Sequence, residues 1–237
     1  MSNLPVEFGN VPWSHQNMKD KLHEFKILWD KRIIQNNHGG MLSVPMFHFW
    51  FILQHLQPKI IIESGVFRGL GTYFLELACP KAHIFCIEPQ QDKISYRSSK
   101  AMYLEQDFSK IPWHKYIDDF SKVLFFVDDH QNDFSRIALC ENLGIKTILF
   151  EDNYPLEKGD VYSLKKAFYN KEHAQYLRNN LLTYHELPPI FKRSEWRGCD
   201  WNFPTPEPLL FVVKKEWQRV YWNEAKEYTS FAYVELK

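Results

Sequence analysis

Acidic residues recur at one kind of position in this sequence. Glu63 closes the apolar run KIIIE, Glu88 closes AHIFCIE, Asp128 and Asp129 follow KVLFFV, and Glu151 and Asp152 follow KTILF. Each run has the length and composition of a buried strand. In an open α/β sheet, ligands sit beyond the carboxyl ends of the strands. Asp128, Asp129, Glu151, Asp152 and the neighbouring His130 would then crowd one edge. Carboxylates packed together repel unless a cation, a proton or solvent relieves them. An oxygen-rich set suits a hard divalent ion such as Mg²⁺, and such an ion can hold a hydroxyl and lower its pKa. The alternative is a solvated acidic rim in which Asp129 or Asp152 caps the next turn. His130 reads as a general base, a metal ligand or an ordinary loop histidine.

The first of these runs leads into Glu63-Ser64-Gly65-Val66-Phe67-Arg68-Gly69-Leu70-Gly71-Thr72, an ExGxxxGxGT pattern. Glycines let a backbone turn tightly and approach a ligand. The nicotinamide fingerprint GxGxxG is absent. An acid two residues before the first glycine repels a pyrophosphate but suits the ammonium of a methionine moiety. Glu88 can accept hydrogen bonds from both hydroxyls of a ribose, a feature shared with nicotinamide-binding domains. Asp107, after a third run, can accept an adenine amino group or simply cap a turn. Together these positions describe a site for S-adenosylmethionine. The plainer reading of the loop is a glycine-rich turn without a ligand. Residues 191–206 (FKRSEWRGCDWNFPTP) gather Arg193, Trp196, Arg197 and Trp201. Flat aromatic faces beside hydrogen-bonding groups suit sugar rings or aromatic substrates, and they equally suit a tryptophan-anchored structural loop.

The elements that must position these residues alternate. Helical spacing is expected over 18–34, with Met18, Leu22, Phe25, Leu28, Trp29 and Ile33 on one face. The helix stops at NNHGG, and a second runs from 44 or 45 to 57. Strands are expected at 59–63, 82–88, 101–106, 122–128 and 146–151. Helices are expected at 69–79, 91–99 (weak) and 134–143, then a long one over 161–182. A closing pair of strands is expected at 209–214 and 228–235. Buried strands alternating with helices imply a mostly parallel sheet covered on both faces. The fold class is therefore α/β: a Rossmann-like, seven-stranded, mostly parallel sheet with a C-terminal antiparallel hairpin and N-terminal helices. Residues 1–237 read as one domain, a helical cap over 1–57 and a core over 58–237.

Composition excludes several partners. Lys+Arg and Asp+Glu both number 29, so no overall basic field exists for nucleic acid or an anionic membrane. The longest apolar stretch, residues 46–56, is interrupted by His48, Gln54 and His55 and is too short to span a bilayer. The N-terminus MSNLPVEFGN has no signal-peptide pattern. Cys79, Cys86, Cys140 and Cys199 form no CxxC pair and read as reduced thiols of a cytoplasmic protein.

ESGVFRGLGT, IEP, VDDH and FEDN, taken together over residues 58–155, resemble the metal-dependent O-methyltransferases of the macrocin and cephalosporin-hydroxylase-like type. The resemblance implies a class I, S-adenosylmethionine-dependent enzyme. It implies that Glu63, Gly65, Gly69 and Thr72 hold the methionine part of the cofactor, with Phe67 and Arg68 in the same loop, and that Glu88 holds the ribose. It implies Mg²⁺ on Asp128 or Asp129 and on Glu151 with Asp152, with one of the two aspartates as base. The acceptor it implies is a hydroxyl of a sugar or glycan, for which Trp196, Arg197 and Trp201 are, by their residue types alone, candidate walls; a catechol-like small molecule is the nearest alternative. The adjacent aspartates depart from the family's DGDH or DSDH, and the C-terminal third carries no matching motif. Two other classes are rivals: a nicotinamide-dependent oxidoreductase or epimerase, disfavoured by the missing GxGxxG and because Tyr162 and Lys166, though at YxxxK spacing, lie past the fifth strand with no preceding catalytic serine pattern, and a non-catalytic scaffold.

Overall fold

A computed structural model describes residues 7–191, 206–211, 215–221 and 231–237. Two helices come first, α1 (His15–Asp30) and α2 (Ser43–Leu56). Alternating strands and helices follow: β1 (Ile60–Ser64), α3 (Leu70–Ala78), β2 (His83–Ile87), β3 (Ala101–Leu104), β4 (Val123–Val127), α4 (Asp133–Leu143) and β5 (Thr147–Phe150). Then come α5 (Leu164–Ala167), α6 (Lys171–Asn180), β6 (Leu181–Glu186), α7 (Lys215–Tyr221) and β7 (Ala232–Leu236). The strands form one sheet in the order β3-β2-β1-β4-β5-β7-β6, all parallel except β7, which runs against both neighbours.

The period of two along each strand divides the apolar residues between two faces. Leu124 and Phe126 of β4 join the core built with α1, α2 and α3; Val123, Phe125 and Val127 join the opposite core with Ile137, Cys140, Leu164 and Leu177. Helix α2 is apolar on nearly all sides and buried from Ser43 to Leu53, as such a composition demands. Its buried imidazole, His48, lies against the carbonyl of Pro188 at 3.0 Å, and burial depresses its pKa to about 3, so it stays neutral. Helix α1 starts with a capping box between Ser14 and Asn17 and buries Met18, Leu22 and Phe25.

Chain order runs outward from β1 to β3 and then returns to the other side of β1 with β4. The sheet thus reverses between β1 and β4, where an open α/β sheet leaves its crevice. Ser64 pairs with Val127 across that junction, and the Asp128 amide donates to the Ser64 carbonyl at 2.8 Å.

Three expected elements differ. The expected helix over 161–182 is two short helices, because Asn170 stops the first and caps the second by accepting from the amides of Glu172 and His173. The chain from Leu181 then alternates in burial and forms β6. The closing antiparallel pair is accordingly β6 with β7; Leu210 makes only an isolated bridge to Phe191, and residues 212–214 lie outside the described residues. The expected helix over 91–99 is a single turn at Gln91–Lys93, because the amides of Ser95 and Tyr96 go to the carbonyl of Arg68.

Candidate active site

The loop between β1 and α3 is shaped by close approaches. Gly65 has φ 93°, and a Cβ there would stand 1.9 Å from the Asp128 carbonyl oxygen. Only glycine lets the first loop touch the tip of β4. The Glu88 carboxylate, at the end of β2, holds the loop: Oε2 accepts the amides of Val66 and Phe67 at 3.2 and 2.8 Å, and Oε1 accepts the amide of Gln90 at 2.9 Å. A carboxylate offers about four acceptor sites, so Glu88 retains capacity on Oε1. Phe67 has φ 51° and Gly69 φ 90°. The NNHGG stretch, expected only to end a helix, also lies on this loop: Arg68 Nη1 donates to the Asn36 carbonyl at 2.7 Å, and Gly40 sits against the Phe67 ring.

Glu63 lies beneath the loop, 1 % exposed. Its Oε2 accepts the Thr72 hydroxyl at 2.6 Å and the Cys86 thiol at 3.3 Å. Burial pushes its pKa up to about 7, against the pull of those two donors.

The second group of acids stands beyond β4 and β5. Ligand atoms of Asp128, His130 and Asp152 all lie within 4.8 Å of one another. His130, at φ 53°, bridges two carboxylates: Nε2 is 3.4 Å from Asp152 Oδ2 and Nδ1 is 3.3 Å from Asp160 Oδ1. Glu151 is buried and hydrogen-bonded to Asp152. Burial, reinforced by the charge of Asp152, raises the pKa of both Asp128 and Glu151 well above the usual carboxylate range. Burial also raises the Tyr154 phenol, which hydrogen-bonds Asp152.

The adjacent aspartates have different surroundings. Asp129 is held on both oxygens: Oδ2 accepts the Ser64 hydroxyl at 2.6 Å and Arg136 Nη2 at 2.8 Å, and Oδ1 accepts the Gln131 amide at 3.1 Å. The same Nη2 reaches Asp107 Oδ2 at 2.7 Å, while Nη1 reaches Asp107 Oδ1 at 3.3 Å. Asp107 also caps its own turn by accepting the Ser109 amide. These bonds, Arg136 first, hold its carboxyl below the usual range.

Arg136 and Asp133 are the residues that sequence reasoning passed over. Both belong to the first turn of α4, where an acid reads as a helix-start residue and an arginine as a surface charge. Asp133 is 3 % exposed, its Oδ2 has no hydrogen-bond partner, and its carboxylate faces the Leu164 amide and the charges of Asp129 and Asp152. Asn153, next to Asp152, is anchored in the interior. Its side chain donates to the Tyr184 hydroxyl at 2.7 Å and accepts the Lys165 amide at 2.8 Å. Tyr184 continues to Glu186, which pairs with Lys165 Nζ at 2.7 Å.

Glu63, Gly65, Phe67, Arg68, Gly69, Thr72 and Glu88 therefore form one contiguous group. Asp128, His130, Glu151 and Asp152 form another, joined to the first where Gly65 meets the Asp128 carbonyl. Asp107 connects through Arg136. Trp196, Arg197 and Trp201 lie outside the described residues.

The sheet order, with only the seventh strand reversed, decides the architecture. The fold is the Rossmann-like fold of class I methyltransferases. Among solved structures, an apo structure of CmcI is 16 % identical, covers 64 % of this chain and 69 % of its own, and has a TM-score of 0.45. A structure of CmcI with Mg and SAM is 16 % identical over 60 % of this chain and 64 % of its own, with a TM-score of 0.44. The chain thus spans about two thirds of the length of the CmcI structures it resembles. The O-methyltransferase TomG from Streptomyces achromogenes, in complex with SAM, is 10 % identical over 71 % of this chain and 83 % of its own, with a TM-score of 0.47. These likenesses are of fold. No family model matches the chain, and no curated protein matches it.

Proposed function

We propose that this chain is an S-adenosylmethionine-dependent O-methyltransferase, assisted by a divalent metal, that methylates a hydroxyl of a sugar or glycan. The observation that carries this reading is the contact between Gly65 and the Asp128 carbonyl, which sets a nucleoside-type loop against an anionic edge. The loop from Gly65 to Gly69 would wrap the methionine part of the cofactor above Glu63 and Thr72, and the spare capacity of Glu88 would take the ribose hydroxyls. The donors of Asp128, Asp152 and His130 fit a hard divalent cation: they are mostly oxygens, they converge, and the repulsion of the carboxylates, Glu151 behind Asp152 included, calls for positive charge. Such an ion supplies, when bound, the positive charge that lowers the pKa of an acceptor hydroxyl.

The residues of the chain do the rest. Methyl transfer proceeds in line, so alignment of nucleophile and sulfonium is the main task. The network from Asn153 through Tyr184 and Glu186 to Lys165 holds the β5 tip that carries Glu151 and Asp152. Asp128, rather than Asp129 with its ion pair to Arg136, is the acid placed to accept the hydroxyl proton. Burial and the repulsion of its neighbours raise the pKa of Asp128, and a cation on this edge would offset that repulsion and so favour its ionised form. His130 orients Asp152. The aromatic segment over 191–206 is assigned to the acceptor. A cytoplasmic setting agrees with Cys79, Cys86 and Cys140 being free thiols, and no helix among the described residues is long and apolar enough to cross a membrane.

The test is transfer of a labelled methyl group from S-adenosylmethionine to a panel of sugars, with and without EDTA. Transfer that EDTA abolishes and Mg²⁺ restores is expected. Full activity in the chelator removes the metal from the reading, and absence of S-adenosylhomocysteine binding by calorimetry removes the whole of it.

A further inference from the structure

Two aspartates stand side by side after β4, and the structure treats them differently because of one side chain. Arg136 is 5 % exposed and reaches across from α4 to grip Asp129 and Asp107 with the same nitrogen. Asp129 is further held by the Ser64 hydroxyl, so one guanidinium ties together the tips of β1, β3 and β4. Asp128 receives none of these side-chain bonds. Its neighbours are Asp152 and His130, and its carboxylate carries the repulsion of the edge.

We propose that Arg136 is the positioning residue that divides this aspartate pair: it neutralises Asp129 as a structural anion and so reserves Asp128 for the cation and the acceptor. Arg136 also sets the charge of the edge. Without it, Asp129 would add an uncompensated negative charge beside the metal site and become a rival ligand. In addition, Asp107 would lose the bidentate clamp that fixes its carboxylate. The inference rests on the metal-assisted methyltransferase reading, and its experiment separates the two.

Mn²⁺ affinity, read by electron paramagnetic resonance, and S-adenosylhomocysteine affinity, read by calorimetry, are measured for the wild type and for Arg136→Met, Asp129→Asn and the double variant. Arg136→Met is expected to bind Mn²⁺ at least about tenfold more tightly, the scale of a unit charge and a divalent ion about 6 Å apart even at the dielectric of water, and to bind S-adenosylhomocysteine more weakly. Asp129→Asn should weaken Mn²⁺ by a similar factor, because one negative charge is lost from the edge and Arg136 is then balanced by Asp107 alone. The double variant should return Mn²⁺ affinity to near the wild-type value. Arg136→Lys, which keeps the charge but not the fork, should leave Mn²⁺ affinity close to wild type.

A purely structural ion pair would lower both affinities together in every variant. That pattern overturns the inference. So does a double variant that stays as weak as Asp129→Asn, since Asp129 would then itself be the ligand. If Arg136→Met does not fold, the comparison of Asp129→Asn with the double variant still decides: recovery on removing Arg136 supports the proposal, and no recovery overturns it. A wild-type chain that binds S-adenosylhomocysteine but not Mn²⁺ overturns this inference and the metal role while leaving the methyltransferase reading standing.

Discussion

Glu63 makes the stability of this protein depend on pH in a direction opposite to that of a surface carboxylate. Burial under the glycine loop raises its pKa from 4.5 to about 7, with Thr72 and Cys86 opposing and Glu88 adding to the rise. A carboxyl raised in the folded state favours folding when protonated. That contribution is complete below about pH 4.5 and is lost as pH climbs through about 7. Linkage over that interval amounts to about 2–3 kcal/mol between about pH 5 and about pH 8. Glu63→Gln removes the titration while keeping an acceptor for the Thr72 hydroxyl. Urea unfolding of both proteins at the two pH values should show the variant gaining on the wild type by that amount as pH rises. Asp128, Asp133 and Glu151 titrate in both proteins, so their effects largely cancel in the difference. A gap between the two proteins that is the same at both pH values would refute the reasoning, because Glu63 would then be ionised at both.

Other outcomes follow from the same contacts. Gly65→Ala places a Cβ 1.9 Å from the Asp128 carbonyl where ordinary contact begins at 3.4 Å, at φ 93°. The loop must withdraw from β4, at about 1–2 kcal/mol of backbone strain. S-adenosylhomocysteine affinity, measured by calorimetry, should fall, and any methyl-transfer rate should drop by about a hundredfold, as a misplacement of about 1 Å can cause. Lys165→Met leaves Glu186 buried beside Tyr184 without its cation, and thermal or urea unfolding should show a loss of about 3–5 kcal/mol. Combining it with Glu186→Leu should recover part of that loss.

Much of the architecture was legible because the strands are short, apolar and closed by acids. KIIIE and KVLFFVD are rich in β-branched or aromatic residues, which favours buried strands, and β1 and β4 begin one residue after the expected starts and end within one residue of the expected ends. The last third was harder. LLTYHE follows a helix directly and has few strand-forming residues, so its period of two was absorbed into the helical run before it; only its pairing with β7 reveals it. The acids of the candidate site could be placed at the sheet edge because they end apparent strands. Their neutralising partners could not, since Arg136 meets Asp107 across 29 positions and Asp129 across seven. Local sequence carries no trace of such a contact. Asp133 was passed over for a related reason: at a helix start an acid is expected whether or not it faces a buried cluster.

The reversed strand has a consequence for how the chain must fold. β7 lies between β5 and β6, yet residues 187–231 separate it from β6. As the chain is synthesised, β5 and β6 are therefore both made while the slot between them is empty, and each exposes an unpaired ladder of amides and carbonyls. Until residues 232–236 emerge and insert, those two edges are open to pairing with other chains. The final strand thus acts as a zipper pull, and the yield of folded protein should respond to its sequence more sharply than five residues would suggest.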